Sequence, residues 1–374
     1  MAVHVSEVKI LDQVEENAAS ALCNLSGEDE NGELKLGKFV VMGHRGSGMN
    51  MLQSSDPRMK LIKENSIFSF NSAAQFPLDF IEFDVQVTKD DCPIIYHDNF
   101  ILTQQKGVII EKRTTDLTLA EFLSYGPQKE PGNVGKPLFR RIKDGRIFEW
   151  KVEEDAPLST LQEALEKVDD SIGFNIELKF DDHIIYTNQK FQHVVQAILK
   201  VVYEHAKNRP IIFSSFQPDA ALLMRKLQRK YPVFFLTNGG SEIYGDIRRN
   251  SIDEAIKVCL EGGLQGIVCE VKAIFRNPES VTTVKHSNLS LITYGLLNNV
   301  PEIVFVQRLM GIEGVIVDLV REITAAVSNS EGPENIGELL RMLYEERFET
   351  FIPAEISPDT QISPDTQICS VATQ

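Results

Sequence analysis

Between Phe39 and Leu319 a single unit recurs: a short run of β-branched and apolar residues, in most cases followed by a stretch whose apolar residues repeat with helical spacing. Strands are expected at Phe39–Gly43, Phe80–Val87, Gly173–Phe180, Pro210–Phe216, Val233–Thr237, Gly266–Val271, Leu289–Tyr294 and Gly314–Leu319, eight in all. Helices are expected at Ser66–Phe76 behind a capping Asn65, Leu158–Val168 near Ser159, Gln189–Ala206, Asp219–Lys230, Ile252–Leu260, Pro278–His286 and Pro301–Leu309. Eight βα units favour an α/β fold of the TIM type, a closed (β/α)8 barrel. The alternative is an open doubly wound sheet. Against it, Gly43-His44-Arg45-Gly46-Ser47-Gly48 does not have the G-x-G-x-x-G spacing of a dinucleotide loop.

One stretch breaks the rhythm. Pro93–His97 reads as a strand only a few residues after Val87, too close for a crossover helix, so a hairpin is expected there. If the turn centres on Asp90 and Asp91, the pairing sets Asp84 opposite His97. Residues 99–156, with a Gly/Pro-rich segment at Gly126–Lys136, are expected to form an insertion over one face of the barrel.

Charge narrows the class of partner. The formal net charge is −16, but it is concentrated at the ends: residues 1–36 carry eight acids against Lys9 and Lys35, and residues 322–374 carry ten against Arg341 and Arg347. The barrel region at 37–321 is close to neutral, so bulk charge suggests neither a nucleic-acid groove nor an anionic membrane patch. Residues 1–36 are expected to be an acidic extension, 322–352 an acidic helix, and 353–374 a disordered tail carrying a perfect ISPDTQ repeat. No apolar run approaches the roughly 18 residues of a membrane span. The first 20 residues lack a basic stretch followed by an apolar one, so the expected compartment is the cytoplasm. Five cysteines (Cys23, Cys92, Cys259, Cys269, Cys369) without a C-x-x-C pair read as reduced thiols.

The chemistry lies in strand alternation. In Ile81-Glu82-Phe83-Asp84-Val85 the two acids share one face, and in Asn175-Ile176-Glu177-Leu178-Lys179 so do Glu177 and Lys179. Three carboxylates converging at a barrel mouth with no cysteine nearby make a hard-oxygen site for one divalent cation, Mg²⁺ or Ca²⁺. A buried ionic cluster with Lys179 and Arg45 is the competing explanation. His44 and Arg45 directly follow the first strand, and Gly46 lets the backbone turn where barrels mount catalytic groups. With His97 brought in by the hairpin, two proton carriers, an arginine that can fork onto phosphate and a lysine point charge surround the acids. That combination suits phosphodiester cleavage. His4, His183, His193, His205 and His286 lie elsewhere and read as structural.

The motifs Gly43-His44-Arg45-Gly46, Glu64-Asn65-Ser66, Ile81-Glu82-Phe83-Asp84-Val85 with Thr88-Lys89-Asp90, Tyr96-His97-Asp98, Ile176-Glu177-Leu178-Lys179 and Ser214-Ser215-Phe216 occur in one order from about Lys38 to about Arg321. In these the chain resembles the glycerophosphodiester phosphodiesterases, most closely their soluble plant-like members. The resemblance implies metal ligands at Glu82, Asp84 and Glu177, an acid/base pair of His44 and His97, and phosphate binding by Arg45 and Lys179. It further implies hydrolysis of small glycerophosphodiesters, in which the glycerol C2 hydroxyl or water attacks phosphorus. Products would be sn-glycerol 3-phosphate and choline, ethanolamine, inositol or glycerol. Ser66 replaces a commoner threonine, and Leu291–Leu296 lacks the tryptophan many bacterial members carry, which leaves Phe216 and Tyr294 as either walls of a glycerol pocket or simply core residues at strand ends. A lipid-directed variant would need an exposed apolar rim, for which the insertion offers Phe122, Leu138, Phe139 and Trp150, residues that read equally well as the insertion's own core.

Overall fold

The computed structural model describes residues 38–328. The acidic extension at 1–36, the tail at 353–374 and most of the acidic helix expected at 322–352 lie outside the described residues, although a helix at Val320–Ser328 covers the start of the last. In chain order the strands are β1 (Val40–His44), β2 (Phe80–Val87), β3 (Pro93–Ile95), β4 (Phe100–Gln105), β5 (Val108–Arg113), β6 (Phe139–Arg141) and β7 (Ile147–Glu149). They continue with β8 (Ser159–Thr160), β9 (Gly173–Leu178), β10 (Ile211–Ser215), β11 (Val233–Thr237), β12 (Gly266–Glu270), β13 (Ser290–Tyr294) and β14 (Gly314–Val317). Parallel pairs run β1-β14-β13-β12-β11-β10-β9-β2, and β2 pairs back onto β1. The sheet therefore closes, and the doubly wound alternative falls.

Alternation decides what lies inside the barrel. Phe80 joins Val40, Met42, Ile212, Phe234, Leu236, Val268, Ile292 and Ile316 in one interior cluster, so Glu82 and Asp84, two and four residues on, face the same interior. Ile81, Phe83 and Val85 face the helices instead. There Phe83 meets Phe174 edge-on at 4.9 Å and Phe70 at 5.0 Å. Each such aromatic pair adds about 0.5–1.5 kcal/mol beyond the area it buries.

Helix starts follow local capping chemistry, and five of the seven expected starts shift, by one residue in four cases and by three at Leu161; two of these shifts have a clear local cause. Ser66, not Asn65, caps the helix Ile67–Ala73 by accepting from Ser69 N, because Asn65 sits in the left-handed region (φ 55) with its amide turned elsewhere. The helix expected from Leu158 begins at Leu161, since Thr160 and Glu163 form a capping box that fixes its start.

The hairpin is present, but its register is one residue off the expectation. Val85 pairs with Ile95 and Val87 with Pro93, so Asp84 stands against Tyr96, whose N–H donates to the Asp84 carbonyl at 3.0 Å. The turn holds three residues, Lys89 to Asp91, with Asp91 left-handed (φ 66). An odd turn shifts every pair by one. After Ile95 the chain leaves the ladder, and His97 is one residue beyond Asp84's partner.

Residues 100–149 form a separate sheet ordered β5-β4-β6-β7. Its core unites Phe122, Tyr125, Leu138 and Trp150 with Ile94 and Tyr96 of the hairpin. Phe122, Leu138 and Trp150 are buried and Phe139 is half-buried, so the apolar rim that a lipid-directed variant requires is instead the core of this layer.

Candidate active site

Parallel register places the groups. His44 at the end of β1 is level with Glu82 on β2, and Asp84 is level with Glu177 on β9. Neighbouring strands lie about 5 Å apart, so side chains at equal level on the interior face are in reach of one another. Glu82, Asp84 and Glu177 each offer an oxygen within 4.8 Å of the others, and all three are buried. This cluster can hold a metal ion. Burial and the neighbouring Asp84 and Glu177 carboxylates push the Glu82 carboxyl up to about 8, the response of an acid crowded by like charge. Burial pushes Asp84 upward too, but Arg45, His97 and Lys179 outweigh it and hold that carboxyl well below the usual range. Oxygen donors only, with more negative charge than the local cations neutralise comfortably, fit a hard divalent ion.

The cations are tied to the same acids. Lys179 Nζ lies 2.8 Å from Glu177 Oε1 and 3.5 Å from Asp84 Oδ1. Arg45 reaches Asp84 Oδ2 with Nε at 3.2 Å and donates from Nη1 to Glu64 Oε1 at 2.8 Å. Its backbone is left-handed (φ 51), held by its own N–H to Glu82 Oε2 and by its carbonyl accepting from Asn65 N and Ser69 Oγ. Such a conformation persists where surroundings over-determine it. Gly46 follows at φ 93, and a Cβ there would come within 2.4 Å of Ser69 Oγ, so the turn requires glycine.

Each histidine has its own carboxylate. His44 Nδ1 is 2.7 Å from Asp318 Oδ1, and its Nε2 points toward Glu82 Oε2 at 3.9 Å. Burial lowers the His44 pKa, yet Asp318 and Glu82 overcome it and the net shift is upward. His97 Nδ1 is 2.7 Å from Asp98 Oδ1, but burial, Arg45 and Lys179 together lower its pKa. The two rings are thus driven in opposite directions, the pattern by which environments separate an acid from a base.

Several site residues were not singled out from the sequence. Asp318 follows the last strand, and an acid directly after Gly314–Val317 was a readable signal. Asn65, expected as a helix cap, donates to Asp84 Oδ2 at 2.8 Å. Glu64 was read as part of the Glu64-Asn65-Ser66 motif but given no role, and Arg140 had no local signal, since only the fold brings the two to Arg45. Phe216 and Tyr294, the expected glycerol walls, pack edge-on at 5.9 Å on top of the interior core. Tyr294 donates its hydroxyl to Asn238 Oδ1.

Comparison with known proteins gives a consistent result. Residues 44–322 match the Glycerophosphoryl diester phosphodiesterase family. A glycerophosphodiester phosphodiesterase of Arabidopsis thaliana is 65% identical over 294 residues, covering 79% of this chain and 79% of that protein. A second from the same plant, named chloroplastic, is 59% identical over 335 residues, covering 89% and 91% respectively. Among solved structures, a phosphodiesterase of Oleispira antarctica in complex with the product sn-glycerol-3-phosphate is 19% identical with a TM-score of 0.54, covering 78% of this chain and 97% of that one. At that identity the last likeness concerns the fold. No described helix is long and apolar enough to cross a membrane.

Proposed function

The chain belongs to the glycerophosphoryl diester phosphodiesterase family, and from that premise we propose that it hydrolyses small glycerophosphodiesters with His97 as general base and His44 as general acid. As a member of that family it is a glycerophosphodiester phosphodiesterase. The observation that carries the mechanism is the pair of histidines, each anchored by a separate carboxylate and set in opposite electrostatic surroundings beside one acidic cluster.

In this reading Glu82, Asp84 and Glu177 hold one Mg²⁺ or Ca²⁺, which when bound supplies positive charge to the phosphoryl oxygens. Arg45 forks onto the phosphate and Lys179 adds a second charge. His97, whose pKa burial and the neighbouring cations lower, accepts the proton of the attacking hydroxyl, whether of glycerol or of water. His44, kept protonated by Asp318, gives a proton to the oxygen of the departing alcohol. Phe216 and Tyr294 wall the glycerol side, an arrangement supported by their edge-on packing above the interior core and by Phe216 lying two residues past Ser214, which is level with Glu177.

The pH dependence follows with a definite sign. A base with a lowered pKa becomes active below the ordinary histidine value of 6.5, and an acid with a raised pKa stays active above it. The kcat/KM profile is therefore expected to be a bell with limbs on either side of that value. The test is release of glycerol 3-phosphate by purified protein from glycerophosphocholine, -ethanolamine, -inositol and -glycerol, with kcat/KM followed over pH. No product from any of the four sinks the reading. Both limbs on the same side of the ordinary histidine value would reverse or remove the assigned proton roles. Cytoplasmic residence is part of the proposal, and imaging a carboxyl-terminal fluorescent fusion decides between the cytosol and the plastid named for one relative.

A further inference from the structure

The geometry points to a role for the insertion in the reaction: we propose that Arg140, on β6, is a positioning residue that holds His97 and Arg45 in register with each other through a carboxylate on either side. The inference rests on the acid/base reading above. Arg140 Nε donates to Asp98 Oδ2 at 2.8 Å, while Asp98 Oδ1 holds His97 Nδ1. Its Nη2 donates to Glu64 Oε1 at 2.7 Å, the same oxygen that accepts from Arg45 Nη1. One rigid guanidinium thus spans the carboxylate that orients the proton carrier and the carboxylate that orients the phosphate fork.

The bridge is built, not incidental. Arg140 is 8% exposed, and its guanidinium carbon lies 3.6 Å from the centre of the Trp150 ring. Trp150 Nε1 in turn donates to Asn50 Oδ1 at 2.9 Å, and Arg140 Nη1 reaches the Asn50 carbonyl at 3.4 Å. Asn50 N–H also donates to the second oxygen of Glu64. The insertion and the loop after β1 are therefore clasped through the groups that aim the catalytic side chains. A lysine at 140 would keep a charge but could not hold both carboxylates in one plane. Strand alternation supplies a control: Arg141 points the other way, is exposed and pairs with Glu111.

The experiment compares R140A, R140K and R141A with wild type in glycerophosphocholine turnover, each checked for folding by circular dichroism. R140A is expected to lose about 10–100-fold, mostly in kcat, in line with other partners that orient reacting groups from outside the first layer. R140K should recover only part of this, millimolar guanidinium chloride should restore R140A alone, and R141A should match wild type. Guanidinium rescue is a response that a merely structural role would not give. A second arm is the crystal structure of R140A, in which the His97 ring or the Arg45 guanidinium is expected to leave its present carboxylate. R140A turning over like R141A, or both side chains unmoved in that crystal structure, overturns the proposal. Should wild type itself release no product, the functional reading fails while the crystallographic arm still decides the positioning role.

Discussion

Replacing His44 by alanine is expected to lower kcat for glycerophosphocholine hydrolysis about 10²–10⁴-fold, the range for losing a general acid, while the protein stays folded. At about 1.36 kcal/mol per factor of ten this is about 3–5 kcal/mol of transition-state stabilisation. The size follows from the geometry. Asp318 engages Nδ1, which fixes the ring and leaves Nε2 as the atom that faces the acidic cluster and the substrate. Stability should change little, because the His44 side chain is 23% exposed at the mouth and truncation opens no sealed cavity. Asp318→Asn separates charge from position: it keeps a hydrogen-bonding group beside the ring but removes the carboxylate that raises the His44 pKa. The alkaline limb of the pH profile should then move to lower pH. Combining His44→Ala with His97→Ala should cost far less than the product of the single losses, since the two act as one unit. Steady-state kinetics with thermal melting checks all of this, and undiminished turnover in His44→Ala would remove the mechanism.

Stripping divalent cations with EDTA is expected to lower the rate about a thousandfold or more, since a cation at a phosphoryl group supplies several kcal/mol. Added Mg²⁺ or Ca²⁺ should restore it. Three buried carboxylates converge, and burial together with the neighbouring Asp84 and Glu177 charges drives the Glu82 carboxyl up to about 8. An ion there removes that repulsion, so binding should also stabilise the fold, by about 2.7 kcal/mol when the ion stands at a hundred times its Kd. Melting temperature is thus a readout separate from activity. Wild type should melt higher with the ion, and Glu82→Gln should show a much smaller rise together with a lost rate. If EDTA changes neither rate nor melting, the cluster is a structural ionic network of the kind Lys179 and Arg45 already form with it.

How far the sequence reached can be traced residue by residue. All eight barrel strands were legible, because runs such as Phe80–Val87 and Val233–Thr237 are apolar enough to be read as strands without their partners. Boundaries slipped where a single side chain decided them, as at Ser66 and Thr160, whose capping bonds depend on the local backbone. The hairpin was anticipated, but its register was not, since whether a turn holds two or three residues is settled by φ at one position, Asp91. The apolar residues of the insertion were readable as apolar, yet whether they formed a rim or a core depended on a layer assembled from distant segments.

The sequence by itself determined the barrel and the interior acids, because period-two alternation along β2 and β9 sends Glu82, Asp84 and Glu177 to one face whatever surrounds them. It also determined that His44 would stand at the end of the first strand. His97 meets the adjacent Asp98 through local sequence, but only tertiary structure decided which distant charges surround the two histidines. Asp318 lies 274 residues from His44, and Arg140 lies 76 from Glu64, separations at which no local spacing carries information. Burial and those long-range charges drive the two histidines apart in pKa, and so the proposed division of labour between them rests on the closed fold and not on any motif.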